Sequence, residues 1–223
     1  MAIYITGDIH GDIERLNPEK LKSKGYNLTI GDTLIILGDL MIPWLHPNWS
    51  PEDRAKLQTL DNCPFTIAFI DGNHENFEFL NSLPLNDWKG GKIHRLGHNV
   101  VHLTRGEVFT IEGCTFFAFG GAQSVDRYER KENLTWWKEE IPSKEEFQYG
   151  VFNLLKNYDS KVDYVLTHTI PQYSGAGDDP TCEMLKKFYE TTDFKKWFYG
   201  HMHRNEFNSK LKLYCLYDGV MRI

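Results

Sequence analysis

Four apolar runs of strand length each stop abruptly at a polar turn: AIYIT before Gly7, TLIIL before Gly38, FTIAFI before Asp71 and Gly72, and VDYVLT before His168. A fifth, KWFY, stops at Gly200. Runs that are apolar almost throughout fit strands covered on both faces, which requires helices between them. SPEDRAKLQTLDN supplies one such helix, with Ser50 as N-cap, Pro51 in the first turn and Ala55, Leu57 and Leu60 as its apolar stripe. The opening of the chain therefore reads as βαβ.

From Lys92 the texture changes to closely spaced short strands, KIHRLG, NVVHLTRG, EVFTIEG and CTFFAFGG. They are expected to form an antiparallel meander that adds a second sheet. SKEEFQYGVFNLLKNY follows as a helix, with Ser143 and Glu146 as a capping box and Phe147, Val151, Leu154, Leu155 and Tyr158 as the buried stripe. TCEMLKKFYE predicts another helix, and KLKLYCLY alternates as a closing strand. With no repeat and no long linker, residues 1–223 are expected to form a single domain.

Charge narrows the possible partners. Lys and Arg number 25 against 31 Asp and Glu, a net charge of -6, so no footprint for duplex nucleic acid is expected. The N-terminus enters a strand without the pattern of a signal peptide, and no apolar run approaches the ~20 residues that cross a bilayer. A cytoplasmic protein without a membrane partner is the expectation. Cys63, Cys114, Cys182 and Cys215 form no CxxC pair and read as reduced thiols.

The strand ends carry the chemistry. Asp8 and His10 follow the first strand, Asp39 the second, Asn73 and His74 the third, His168 the fourth, and His201 and His203 the fifth. In open α/β sheets ligands bind beyond the carboxyl ends of strands, so residues far apart in sequence can converge there. A set of nitrogen and oxygen donors without thiolate suits Mn, Fe, Zn or Ni. One carboxylate has two oxygens and can hold two cations ~3.5–4 Å apart, and Asp39 is the natural bridge.

GDIHG (7–11), GD (38–39), GNHE (72–75), TH (167–168) and GHMH (200–203) resemble, in order, the five motif blocks of the calcineurin-like metallophosphoesterases. That resemblance implies an α/β fold (α+β in some schemes), a four-layer αββα sandwich of two mixed β-sheets flanked by helices. It implies two divalent metal ions, manganese first among the candidates, with Asp8, His10, Asp39 and His203 on one and Asp39, Asn73, His168 and His201 on the other. A hydroxide bridging the metals would attack phosphorus, while His74, off the metals, would donate a proton to the leaving group or steady the phosphoryl oxygens. Glu75 would support the ligands from behind. Residues 84–142 further resemble a small-phosphatase subgroup of bacteria and their phages.

One block departs from the pattern. The protein Ser/Thr phosphatases of this superfamily read GD-x-x-D-R, whereas Ile42 and Pro43 stand here where the acid and arginine would be. The missing acid would have paired with the catalytic histidine and the missing arginine would have gripped phosphate. Arg127 and Arg130, in SVDRYERK, are the candidate phosphate contacts, with Arg204 and Arg105 behind them.

Other histidines and aromatics have plainer readings. His94, His98 and His102 lie in a strand and turn context, as surface or packing residues, and His46 reads as a loop residue. Trp136 and Trp137 could form a platform for a base but are expected to pack against the meander, and Trp44 and Trp49 are read alike. The resulting expectation is a dinuclear-metal-dependent enzyme hydrolysing phosphomonoesters or phosphodiesters of a small molecule, nucleotide or phosphoprotein. A non-catalytic protein-binding scaffold of the same fold is the alternative outside enzymes, and a nucleotide or cyclic-nucleotide phosphodiesterase is the alternative to a protein phosphatase within them.

Overall fold

The computed structural model describes residues 1–44, 49–171 and 179–223, so His46 lies outside the described residues. In chain order the elements are β1 (Ile3–Thr6), α1 (Pro18–Ser23), β2 (Thr33–Ile36), α2 (Pro51–Asp61), β3 (Thr66–Phe69), α3 (Phe77–Ser82), β4 (Leu85–Trp88), β5 (Gly91–Arg95), β6 (Val100–Leu103), β7 (Glu107–Ile111), β8 (Cys114–Phe119), α4 (Lys144–Tyr158), β9 (Tyr164–Thr167), α5 (Pro180–Thr191), β10 (Lys196–Tyr199), β11 (Glu206–Asn208), β12 (Leu213–Cys215) and β13 (Val220–Arg222). Two mixed sheets result, ordered β13-β1-β2-β3-β6-β5-β4 and β11-β12-β10-β9-β8-β7.

Alternation along the strands builds the layers. Ile3 and Ile5 of β1, Ile35 of β2 and Ala68 of β3 face Phe116, Ala118, Leu166 and Phe198 of the second sheet. Their neighbours Tyr4, Leu34, Ile36, Ile67 and Phe69 face the other way, against Leu21, Leu60, Phe79 and Leu80 of the first three helices. On the far side, Phe117, Phe119, Val165 and Trp197 pack on Leu154, Leu185 and Phe188 of α4 and α5. Both faces of both sheets are thus covered, giving the expected αββα order, and the near-continuous apolar runs are explained.

The predicted meander is divided rather than continuous. β6 pairs in parallel with β3, with Val100 beside Ile67, and β5 and β4 follow it, so residues 85–103 extend the first sheet. Only β7 and β8 enter the second. Local alternation shows that a segment is a strand but not which neighbour it pairs with. Likewise KLKLYCLY yields β12, parallel to β10, whereas the closing strand is β13, antiparallel to β1.

The helices show the same limit. Ser50 caps α2 by accepting from Asp53 N, and the Ser143/Glu146 capping box is formed, both as the sequence predicts. The α2 stripe is narrower than predicted, since Leu60 is buried but Ala55 is exposed. On α4, Val151 and Leu155 are exposed, and the buried positions are Gly150, Asn153 and Leu154. A close backbone approach of Gly150 to Gly106, with Asn153 Nδ2 donating to Gly106 O at 2.8 Å, turns that face inward. All four cysteines are free, and no helix among the described residues is long and apolar enough to cross a membrane.

Candidate metal centre

The carboxyl ends of β1, β2 and β3, which run parallel, lie next to those of β9 and β10. Backbone bonds lace these ends together, from His10 N to Asp39 O at 2.7 Å and from Gly200 N to His168 O at 2.9 Å. His10, Asp39, His201 and His203 all have left-handed backbone, with φ of 48°, 54°, 63° and 48°. Such conformations are sparse for residues with a Cβ and persist where the surroundings impose them, commonly at functional sites. Two glycines make room: a Cβ on Gly72 would collide with the Asp39 carboxylate, and one on Gly200 with that of Asp8.

The seven candidate ligands converge. Ligand atoms of Asp8, His10 and His203 lie within 4.8 Å of one another, as do those of Asp8, Asp39 and His168. Asp39 Oδ2 stands 3.5 Å from His10 Nε2 on one side and 3.5 Å from His168 Nε2 on the other. Asn73 Oδ1 is 3.0 Å from His168 Nε2, and the His201 ring lies against that of His168 with centroids 5.0 Å apart. Asp8 is common to both clusters, so it is more central than its place in one implied ligand set suggests.

The electrostatics fit a cation. Burial raises the Asp8 carboxyl, with His168 opposing the shift. Burial also works to raise Asp39, but the adjacent His168, then His74 and His10, hold it below the ordinary carboxylate range. Burial resists a charge on His168, yet Asp39 and Asp8 together lift its ring to about 10. Two buried carboxylates thus favour positive charge at this place, where a dication would do the same work and leave the ring free to ligate. His10 Nε2 and His203 Nε2 are 2.9 Å apart, at 3.8 and 3.2 Å from Asp8 Oδ2. Burial lowers His201 to about 3 and leaves it a neutral donor atom.

Several supporting contacts are not foreseeable from the motifs. Ser124 Oγ accepts from Asn73 Nδ2 at 2.9 Å and donates to Glu140 Oε2 at 2.6 Å, which turns Asn73 Oδ1 toward the centre. Arg15 donates to Asp8 O and Tyr217 O, and Tyr217 stacks on His203 at 4.7 Å. These partners come from segments outside the five motifs, so no spacing rule points to them. Glu75 accepts the backbone N–H groups of Leu40 and Met41 behind Asp39.

His74 is placed beside the donors rather than among them, its ring 5.4 Å from that of His10 and its backbone N–H on Asp39 Oδ1 at 2.7 Å. Burial lowers its ring to about 4; Asp39 opposes the shift and Arg130 adds to it. Arg130 Nη1 meets His74 Nδ1 at 2.9 Å, whereas Arg127 stays at the surface over the Tyr128 ring. Arg105 is buried in an ion pair with Asp71, and Arg204 pairs with Glu206. Trp44 lies 6.3 Å from His74 and packs edge-on against the buried Trp137. His94 and His102 stack on each other, but His102 also sets its Nε2 on Asp71 Oδ1 at 3.1 Å rather than only packing, and His98 is exposed.

Among solved structures, TT1561 of Thermus thermophilus is similar in fold, with a TM-score of 0.55 and 14% identity, over 97% of this chain and 88% of that one. The phosphopantetheinyl hydrolase PptH of Mycobacterium tuberculosis aligns with a TM-score of 0.48 and 16% identity, over 97% of this chain and 88% of that one. No curated protein matches the chain. The calcineurin-like phosphoesterase family matches residues 1–205, a span that holds all five strand-end motifs and every candidate donor of the centre. A family of metal-dependent phosphoesterases thus accounts for both the motifs and their convergence, and the chain belongs to the calcineurin-like phosphoesterases.

Proposed function

We propose that the protein is a dinuclear-metal-dependent phosphoesterase that hydrolyses phosphomonoesters or phosphodiesters. The observation that carries this reading is Asp39 Oδ2 standing 3.5 Å from the ring nitrogens of both His10 and His168, where five strand ends meet. Asp8, His10, Asp39 and His203 would hold one ion and Asp39, Asn73, His168 and His201 the other, with Asp8 close enough to serve both. Two divalent cations there, manganese or else iron, zinc or nickel, supply Lewis-acid polarisation of the phosphoryl group and an activated water.

The chain's own groups do the rest. His74 donates a proton or hydrogen bond to the departing or phosphoryl oxygen. Arg127 meets the phosphoryl group from the open surface, and Arg130 stands behind the His74 ring. Glu75 holds the turn that presents Asp39. The Trp44 ring near His74 favours, as a second reading, a substrate whose leaving group carries a base or another aromatic ring.

Metal analysis with p-nitrophenyl phosphate and its bis-ester, each with Mn, Ni, Zn and Mg, tests the reading. About two ions per chain and turnover are expected. Asp39→Asn should lose metal and activity by more than the about 100-fold reached when an outer-shell partner is removed. Equal activity in Asp39→Asn would overturn the two-metal reading, and absence of both metal and turnover would favour the binding scaffold. Equal turnover of aryl and nucleotide esters against alkyl phosphates would remove the second reading.

A further inference from the structure

We propose that Arg130 is a positioning residue that fixes the tautomer and orientation of His74, in the place where the GD-x-x-D-R pattern would put an acid. This rests on the phosphoesterase reading for its purpose but not for its geometry. Arg130 follows the short 3-10 turn Arg127–Glu129. Its Nη2 is held by Asp126 Oδ2 at 2.7 Å, and its Nη1 donates to Thr135 O at 3.3 Å and reaches His74 Nδ1 at 2.9 Å. The guanidinium is therefore clamped from two sides and presents a fixed N–H to the ring.

The direction of that hydrogen bond follows from chemistry. A guanidinium has five donors, no acceptor and no accessible deprotonated form, so Nδ1 must be the acceptor. The proton of the neutral ring then sits on Nε2. A carboxylate in the same place would do the opposite, accepting Nδ1–H and leaving Nε2 either an acceptor or half of a doubly protonated ring.

The far end of the residue is pinned as well, by its backbone N–H on Asp39 Oδ1 at 2.7 Å. The ring is packed edge-on to His10 and lies tilted beside Trp44. His74 is thereby held as an Nε2–H donor beside the ligand cluster, which is the form that can hydrogen-bond an oxygen of a bound phosphoester. The function lost at Ile42 is thus answered from the 126–135 loop, with a cation in place of the acid behind the histidine.

Long-range proton–nitrogen NMR of protein labelled with nitrogen-15 in histidine reads the tautomer directly, with His74 assigned by its absence in His74→Ala. The wild type should show a bare Nδ1 and a protonated Nε2. Arg130→Met should mix the two tautomers, and Arg130→Lys, which keeps a donor, should restore most of the wild-type pattern. With p-nitrophenyl phosphate, Arg130→Met should lower kcat by about 10- to 100-fold, the range of outer-shell partners, with KM changed less than about threefold. In a His74→Ala background the same substitution should have little further effect, because both act through one ring.

A wild-type spectrum with protonated Nδ1 would overturn the proposal, as would an unchanged His74 spectrum in Arg130→Met. An effect of Arg130→Met confined to KM, or undiminished in the His74→Ala background, would equally overturn it in favour of direct substrate contact. If wild type shows no turnover, the phosphoesterase reading fails while the ring-nitrogen spectra still decide the role of Arg130.

Discussion

Glu75 Oε1 accepts the backbone N–H of Leu40 at 2.7 Å, and its Oε2 accepts that of Met41 at 3.1 Å. Those two amides follow Asp39, which is buried with a left-handed backbone, so one buried side chain braces the turn that carries the central candidate ligand. Burial, and then the charge of Asp39, push the Glu75 carboxyl well above its ordinary value. Glu75→Gln keeps an acceptor for one amide but faces the other with an NH2 group. The expected outcome is a metal affinity weaker by about 10- to 100-fold with the fold retained, read by metal titration and circular dichroism. An unchanged affinity would show that the turn holds itself.

Ser124 acts on Asn73 in a similar way. Its hydroxyl accepts from the Asn73 amide and donates to Glu140, which leaves Asn73 Oδ1 as the atom facing His168. Ser124→Ala removes the anchor and frees the amide to rotate by half a turn, presenting nitrogen where oxygen is required. Metal stoichiometry should fall toward one ion per chain at limiting metal, while unfolding free energy drops by only about 1–3 kcal/mol for the buried groups left unpaired. Retention of two tightly held ions would contradict this.

Arg105 carries a buried ion pair outside the centre. Its Nε and Nη2 donate to Asp71 Oδ2 at 2.8 and 2.6 Å, and its Nη1 reaches Glu146. Burial acts to raise the Asp71 carboxyl, but Arg105 overcomes it and holds the group well below the usual range. Arg105→Met leaves the buried Asp71 carboxylate with His102 alone at 3.1 Å and should destabilise the protein by about 3 kcal/mol in urea unfolding at pH 7. Because the folded value is depressed, the pair stabilises above the ordinary carboxylate pKa and its contribution fades as pH falls toward the folded one. A loss below about 1 kcal/mol would mean that water already screens the pair.

His94 gives a pH signature away from the metal donors. Burial, with His102 at 3.2 Å between Nδ1 atoms, lowers its ring to about 4. Between the ordinary value near 6.5 and about 4 the unfolded chain binds this proton and the folded one does not, so stability falls with acid across that window. His94→Gln, compared with wild type after chelation of metal, should lose less stability from pH 7.5 to 4.5, by on the order of 2 kcal/mol. Parallel curves for the two proteins would reject the assignment.

The five motif blocks point to the centre in advance because each candidate ligand sits at the end of an apolar strand run, and parallel strands bring such ends to one edge. Asp8, His10, Asp39, Asn73, His168, His201 and His203 can therefore be named as candidate donors from residue type and position alone, and the N-caps of α2 and α4 are legible because their signals are equally local. What lay beyond the chain's own neighbourhood was decided only in three dimensions. Strand alternation could not say that β6 joins β3 rather than β7, nor could helical spacing foresee that Gly150 against Gly106 turns α4 away from Val151 and Leu155. The partners Ser124, Arg15 and Arg130 stand 51, 7 and 56 residues from Asn73, Asp8 and His74, respectively. Periodicity and local propensity act over a few residues, whereas these contacts depend on which surfaces meet once both sheets have packed. Residue type at the strand ends thus names the candidate donors, and only the packing of the sheets reveals that an arginine rather than an acid stands behind His74.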